Sequence, residues 1–456
     1  MNDLERMDRH SHLHPFTSVS ESRPSGRILT RASGMTVVDE KGRSYLDSLS
    51  GLWCVNAGYG NARITDAIAK TSRELSFGHN MMGAGNEYAV RLADRLLQLT
   101  DGVMRKVFFG NSGSDANDTN LKLARLYHRC RGEPDRIKFI ARHGGYHGTT
   151  LATSSLSGLN GIRRSVGLPD PHYVHVSAPE IFTHVRPGRF VTEEQYADFL
   201  AQELEATILR EGPDQIAAFV AEPVMAVGGI LLPPRTYFSK IKAVLDKYGI
   251  LLIIDDVVCA FGRLGHWYGW QTLDVRPDLV TLAKGLTSGY VPMSASLLGE
   301  RLWRTLEQSA GDIGTFGHGF TTSGHPLAAS AALANIDTLE QQQLLTRATA
   351  QGALLLETLL ATLEDCAVVG DIRGQGLLVG VELVADLDTL RPFIEPGAFA
   401  AKVAAACLDL DLIVRALPDK DVIAFAPPLT ITAQEIADIA RRFAQAVKQV
   451  AKTITQ

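Results

Sequence analysis

Between residues 100 and 300 the chain repeats one pattern: a short apolar run without polar alternation, then a longer amphipathic stretch. The runs are Lys106–Phe109, Ile137–Ala141, Tyr173–Val176, Ile216–Val220, Ile250–Ile254, Leu279–Leu282 and Met293–Leu298. An apolar run of this kind suits a strand covered on both faces. Between the runs, Asp115–Arg129, Glu193–Arg210, Tyr237–Tyr248 and Arg301–Gln308 have helical periodicity. The alternation predicts an α/β fold with a mostly parallel, seven-stranded open sheet.

Past His325-Pro326 the pattern changes. Leu327 to about Thr362 is rich in Ala and Leu with few breakers, which predicts one long helical region. A strand over Leu377–Leu383 and helices over Ala398–Leu408 and Ala433–Lys452 follow. These predict a second, smaller α+β domain. The expected division is an N-terminal arm and small-domain segment over 1–60, a large domain over 61–325 and a C-terminal small domain over 326–456. Residues 1–35 are polar, with Pro15, Pro24 and several serines, and are expected as an extended arm rather than a packed element.

Composition narrows the function classes. A chain of 456 residues needs no disulfide or metal staple to hold its core. A net charge of −5 argues against nucleic acid as the main partner. Five widely spaced cysteines with no CxxC pair indicate reduced thiols in a cytoplasmic protein, without a zinc site. No apolar run reaches the ~18–20 residues of a membrane span. The acidic start, with Asp3, Glu5 and Asp8, leads to the expectation of no export signal.

In open α/β sheets, ligands bind beyond the carboxyl ends of the strands. Four sets of residues follow strands here. Gly110-Asn111-Ser112-Gly113-Ser114 opens a helix, where small residues let backbone N–H groups approach an anion. Gly144-Gly145-Tyr146-His147-Gly148 puts an aromatic ring on a glycine-flanked loop, able to stack on a flat group. Asp255-Asp256 ends a buried strand, where a carboxylate needs a cationic partner. Neighbouring side chains on a strand point to opposite faces, so one of the pair faces the site. Lys284 follows another buried strand, where desolvation lowers an amine's pKa and makes it a Schiff-base nucleophile. Each has a structural alternative: a turn capped by Ser114, a loop tyrosine over the sheet edge, an N-cap or ion pair, a solvated lysine. Together, in this order, they are what pyridoxal phosphate requires.

These residues lie inside longer motifs. The motifs are Ser50-Gly51-Leu52-Trp53-Cys54-Val55-Asn56, Asn111-Ser112-Gly113-Ser114-Asp115-Ala116-Asn117-Asp118-Thr119 and Gly145-Tyr146-His147-Gly148. They continue with Ala221-Glu222-Pro223, Phe261-Gly262-Arg263, Ala283-Lys284-Gly285-Leu286-Thr287-Ser288-Gly289-Tyr290 and His318-Gly319-Phe320-Thr321-Thr322-Ser323-Gly324-His325-Pro326. With them the chain resembles the class-III aminotransferases of fold type I, in particular the ω-aminotransferase, or amine–pyruvate transaminase, group. The resemblance implies pyridoxal 5'-phosphate as cofactor. It implies that Ser112, Gly113 and Ser114 cradle the phosphate and that Tyr146 and Val258 cover the two ring faces. Asp255 then pairs with the ring nitrogen, Glu222 lines the ring edge and Lys284 forms the internal aldimine. Thr321 reaches the phosphate of a neighbouring subunit, which implies a homodimer and leaves open whether dimers pair into tetramers. Trp53, Met81 and Tyr146 shape the substrate pocket, and Arg415 binds a substrate carboxylate. The sequence departs from the family pattern at Asp256 and Asp115, where glutamate is usual, and at Val258, where many members have glutamine.

The implied reaction moves an amino group from a primary amine or ω-amino acid to a keto acid, with pyruvate the favoured acceptor. Lys284 then serves as base and acid. A dialkylglycine-type decarboxylase shares the same lysine, aspartate and phosphate loop. A regulatory protein on this scaffold would need a DNA-binding segment, for which residues 1–35 are too short and too little basic. A nicotinamide oxidoreductase lacks its glycine fingerprint, since Gly374-Gln375-Gly376 is incomplete.

Overall fold

The computed structural model describes residues 2–20, 26–165, 167, 170–186 and 188–453. Strands β1 (Leu29–Ser33), β2 (Thr36–Asp39) and β3 (Ser44–Asp47) form an antiparallel meander near the N-terminus. The central sheet follows. Its strands are β4 (Met104–Gly110), β5 (Lys138–Arg142), β6 (Tyr173–Val176), β7 (Ile216–Ala221), β8 (Leu251–Asp255), β9 (Leu279–Leu282) and β10 (Ser294–Gly299). Their order is β4-β10-β9-β8-β7-β5-β6. The pairings among β5 to β9 are parallel, and β10 runs antiparallel to both β4 and β9. The seven runs expected from the sequence all lie in this one sheet, each within a few residues of its expected bounds.

The apolar runs lack alternation because both faces of the sheet are covered. Every residue of β7, β8, β9 and β10 is buried. Along β7, Phe219 and Ala221 join the core on one face, while Ala218 and Val220 join the core on the other. Each fully buried Leu, Ile or Phe contributes about 1.5–3 kcal/mol of transfer free energy.

Five more strands follow: β11 (Val369–Gln375), β12 (Leu378–Leu383), β13 (Leu412–Ile413), β14 (Arg415–Ala416) and β15 (Val422–Phe425). A second sheet has the order β11-β12-β15-β14, whereas β13 leaves it and pairs in parallel with β3. Leu412 sits opposite Leu46, and Ile413 opposite Asp47. This pairing brings the segment after β3, which holds Trp53, beside the segment after β13, which holds Arg415. Of these C-terminal strands, the sequence pattern indicated only β12.

Two expectations are corrected. The N-terminal 35 residues are not all extended: Asp3–Ser11 is a helix. Its capping box explains it, with Asn2 Oδ1 accepting from the Glu5 amide at 2.8 Å and Glu5 Oε2 accepting from the Asn2 amide at 2.9 Å. Pro24 lies outside the described residues. The long helical region after Pro326 is two helices, Pro326–Gln341 and Leu344–Leu363. They break at Gln343, whose φ of 51° is left-handed. No Gly or Pro marks this break. It lies where the packing partner changes: the first helix packs on Ala62–Glu74 and Glu87–Gln98, the second on Ala433–Ala451.

Among the described residues no helix is long and apolar enough to cross a membrane. All five cysteines are unpaired.

Candidate active site

Strands β4, β5, β7, β8 and β9 end at the same edge of the sheet, and the polar residues of the site follow those ends. After β4 the chain turns into the helix Gly113–Cys130, capped by Ser112 rather than by Ser114. Ser112 Oγ accepts from the Asp115 amide at 3.2 Å, and Asp115 Oδ2 accepts in return from the amides of Asn111 at 2.9 Å and Ser112 at 3.0 Å. Ser112 and Asp115 thus close the cap between them. Gly113 and Ser114 are left in the first turn, where backbone N–H groups have no acceptor within a helix. Among the described residues their amides have no acceptor either. Gly148 comes down on this turn. A Cβ there would lie 2.5 Å from Ser114 Oγ, and its φ of +132° suits glycine alone.

Asp255 ends β8 and is 4% exposed. Its Oδ2 accepts from Asn117 Nδ2 at 2.8 Å and His147 Nδ1 at 2.9 Å, and its Oδ1 accepts from the Val257 amide at 3.2 Å. Asp256 serves the other face, where it accepts from the amide of Trp270 at 3.4 Å. Burial pushes the Asp256 carboxyl up to about 8. Glu222, after β7, accepts from the amides of Tyr146 at 3.2 Å and Ala226 at 3.1 Å. Burial raises its pKa, against the pull of His147 and Arg142. Arg142, fully buried, donates to the Glu222 carbonyl at 2.6 Å and so holds that turn.

Lys284 follows β9 in a left-handed conformation, φ 45°, which a bulky side chain adopts only when its surroundings force it. Burial lowers the pKa of its amine, opposed by Cys54, Asp255 and Glu222. Its Nζ lies 5.4 Å from the centre of the Trp53 ring. Arg415, half-buried, lies over the same indole at 5.0 Å. Trp53 is 2% exposed with φ 59°, at the end of the kinked turn Ser50–Trp53. Its indole N–H and the Nε of Arg415 are buried without partners among the described residues. Burial lowers the Arg415 pKa, opposed by Tyr146. Tyr146 and Val258 pack against the same apolar cluster as Trp53, together with Leu417.

Thr321 and Met81 stand elsewhere. Thr321 is exposed, in a loop held to its own chain by His318 and Thr322. His318 Nε2 meets Thr119 Oγ1 at 2.8 Å, and Thr322 Oγ1 donates to Asn111 Oδ1 at 2.8 Å. Met81 is 39% exposed, and a Cβ on Gly319 would lie 3.6 Å from its Cε. Asn80 Nδ2 donates to the Ser323 carbonyl at 3.0 Å and Asn86 Nδ2 to the Gly324 carbonyl at 2.9 Å. The loop of Met81 is therefore joined to the loop of Thr321, outside the cluster around Trp53.

The structure thus gathers Ser112, Gly113, Ser114, Tyr146, Glu222, Asp255, Val258 and Lys284 at one edge, with Trp53 and Arg415 as a far wall. His147 and Asn117 were not singled out from the sequence, although both sit inside the quoted motifs. Asn117 comes four residues after Gly113, and that helical spacing was the available signal. These residues fit pyridoxal phosphate. Free amides at a helix N-terminus suit its phosphate. A buried carboxylate suits its ring nitrogen, and a desolvated lysine suits its carbonyl.

Comparisons with known proteins agree. Residues 17–447 match the family model described as aminotransferase class-III. The chain is 40% identical to a diaminobutyrate–2-oxoglutarate transaminase of Halomonas elongata, over 100% of this chain and 97% of the relative. It is 38% identical to gamma aminobutyrate transaminase 3 of Solanum lycopersicum, over 100% of this chain and 87% of the relative. The crystal structure of the omega transaminase from Pseudomonas jessenii in complex with PMP superposes with a TM-score of 0.96 at 38% identity, covering 100% of this chain and 99% of that one.

Proposed function

The chain belongs to the class-III aminotransferases, which use pyridoxal phosphate, and on that premise we propose that it moves the amino group of a primary amine or ω-amino acid to a keto acid, pyruvate first among them. One observation carries this reading. Lys284 and Arg415 lie over one indole, at 5.4 Å and 5.0 Å, and Arg415 meets no carboxylate of its own chain among the described residues. A desolvated amine and a guanidinium on one apolar wall suit a substrate with a reacting carbon at one end and a carboxylate at the other.

Bound pyridoxal phosphate supplies the carbonyl that takes up the amine and the ring that stores the electron pair. The amides of Gly113 and Ser114 would hold the phosphate, with Ser112 closing the cap. Tyr146 and Val258 would cover the ring faces, Glu222 its edge, and Asp255 would hold a proton on the ring nitrogen. Burial favours the neutral form of the Lys284 amine, the form a general base needs, and the amine would return the proton as acid. Arg415 would take the carboxylate of the keto acid, then withdraw along its flexible stem when the other substrate has none. Trp53 supplies the apolar surface that remains.

Thr321 is exposed beside its own phosphate turn, as a residue serving a neighbouring subunit must be. Met81 is joined to the same loop and would line that neighbour's pocket rather than its own. This supports a homodimer with shared sites. The five unpaired cysteines support a reducing, cytoplasmic setting.

The test is a panel of amines, ω-amino acids and α-amino acids with pyruvate or 2-oxoglutarate as acceptor, read as alanine or glutamate formed. Alanine from ω-amino acids or aryl amines is the expected result. Formation of glutamate alone would make 2-oxoglutarate, and not pyruvate, the acceptor. Carbon dioxide from a dialkylglycine, without net use of the other donors, would assign the chain to decarboxylation.

A further inference from the structure

We propose that Asn117 is the positioning residue of the Asp255 carboxylate, and that through it the helix Gly113–Cys130 sets both ends of the cofactor site. The proposal rests on the reading that Asp255 faces the ring nitrogen.

Asn117 is 2% exposed, and its amide is committed on every side. Nδ2 donates to Asp255 Oδ2 at 2.8 Å and to the His147 carbonyl at 2.8 Å. Oδ1 accepts from Thr281 Oγ1 at 2.6 Å, and that hydroxyl accepts from Asn120 Nδ2 at 2.7 Å. A flipped amide would set its oxygen against two acceptors, so the orientation is determined by its surroundings. One side chain therefore ties together four parts of the site. It stands one turn after the phosphate amides of Gly113 and Ser114. It bonds the end of β8 through Asp255 and the strand of Lys284 through Thr281. Through the His147 carbonyl it also holds the loop that presents Tyr146.

His147 bonds the same carboxylate oxygen, but it sits on that loop rather than on a regular element. Without Asn117 the loop loses its anchor at the His147 carbonyl, and Asp255 keeps only His147 and the Val257 amide as donors. A buried carboxylate that loses a donor is less stable in its charged form. Helical rise places Asn117 only about 6 Å along the axis from Gly113, so a rigid element spaces the phosphate end from the nitrogen end.

The experiment uses the full-length protein in both cofactor-free and loaded forms. In the cofactor-free protein, the Asp255 carboxyl carbon is followed by NMR against pH. Asn117→Ala is expected to move its titration upward. In the loaded enzyme kcat should fall about tenfold, the order expected for one charge-assisted hydrogen bond, with KM for the amine changed less than about twofold, because no substrate contact is lost. Thr281→Val frees the amide without removing it, so a smaller upward move is expected, and Thr281→Ser should restore the original titration. If Asn117→Ala fails to fold, the Thr281 pair carries the test. An unmoved Asp255 titration in Asn117→Ala, or in Thr281→Val, would overturn the proposal and leave Asn117 as packing. Affinity for pyridoxal, which lacks the phosphate, tests the underlying reading separately. If Asp255→Ala does not weaken pyridoxal binding, Asp255 does not face the ring, whatever Asn117 does to its titration.

Discussion

Asp255 and Arg415 are both charged and withdrawn from solvent within one site, yet Asp255 accepts from three donors while Arg415 keeps a buried Nε without a partner. The same contrast runs through their surroundings. Glu222 accepts from two amides, and Asn117 is bonded at both ends of its amide. On the other side, the indole N–H of Trp53 has no acceptor. Buried polar groups left unpaired cost free energy. At the sheet edge the carboxylates of Asp255 and Glu222 are paired before anything binds, while the amides of Gly113 and Ser114 stay open, which suits one permanent anionic occupant. The wall of Trp53 and Arg415 leaves its groups open, which suits two substrates that alternate in one pocket.

The comparison can be broken at several points. The largest effect is expected at Lys284. Lys284→Ala should reduce turnover by on the order of 10⁴-fold or more, since base and nucleophile are lost together. Borohydride should fix the cofactor to the peptide containing Lys284 in the unaltered enzyme. A fully active alanine variant would end the aminotransferase reading.

Next comes the paired carboxylate of the edge. Asp255→Asn keeps the shape and removes the charge, and turnover should fall on the order of 10³-fold with the fold retained. Asp256→Asn should change turnover little, because Asp256 bonds on the opposite face. Equal losses would mean that the wrong carboxylate has been assigned to the site.

Arg415→Ala tests the open wall. Use of pyruvate should weaken by roughly 2–4 kcal/mol, or about 30- to 1000-fold, the range for charged and bidentate contacts. The half-reaction with an amine of uncharged tail should slow far less. Single-turnover absorbance of the bound cofactor separates the halves, and equal slowing of both would make Arg415 structural.

A smaller signal tests the shared site. Lys284→Ala mixed with Thr321→Ala should regain activity as subunits exchange. With random pairing about a quarter of the sites are intact, as follows from two-fold symmetry. No recovery despite demonstrated exchange would place Thr321 in its own subunit's site or outside both.

The last effect is on stability. The Asp256 carboxyl is pushed up to about 8 by burial, from 3.8 when unfolded. Between those values the folded protein keeps a proton that the unfolded chain releases, so stability falls as pH rises from about 4 towards 8. Asp256→Asn removes this contribution. Its melting temperature relative to the unaltered protein should be higher at pH 8 than at pH 5, and an equal difference at both would mean that Asp256 is ionised in the fold.

Much of this was legible in the chain alone. Strands β4 to β10 could be read from their apolar runs, and β7 to β10 are covered on both faces, so local composition carries the signal. Lys284, Asp255 and Tyr146 could be read because they follow those strands directly. The helix Asp3–Ser11 was legible in principle from the spacing of Asn2 and Glu5, but its polar composition hid it. What the sequence by itself determined, then, were features set within one strand–turn–helix unit. The tertiary structure decided the rest. The break at Gln343 depends on where two helices change partners, and no residue type announces it. Arg415 meets Trp53 only because β13 pairs with β3, joining segments more than 300 residues apart in the chain. Asn117 meets Asp255 only because the helix after β4 packs across β8 and β9. Contacts of that kind depend on packing between distant elements, and such packing leaves no period in a sequence.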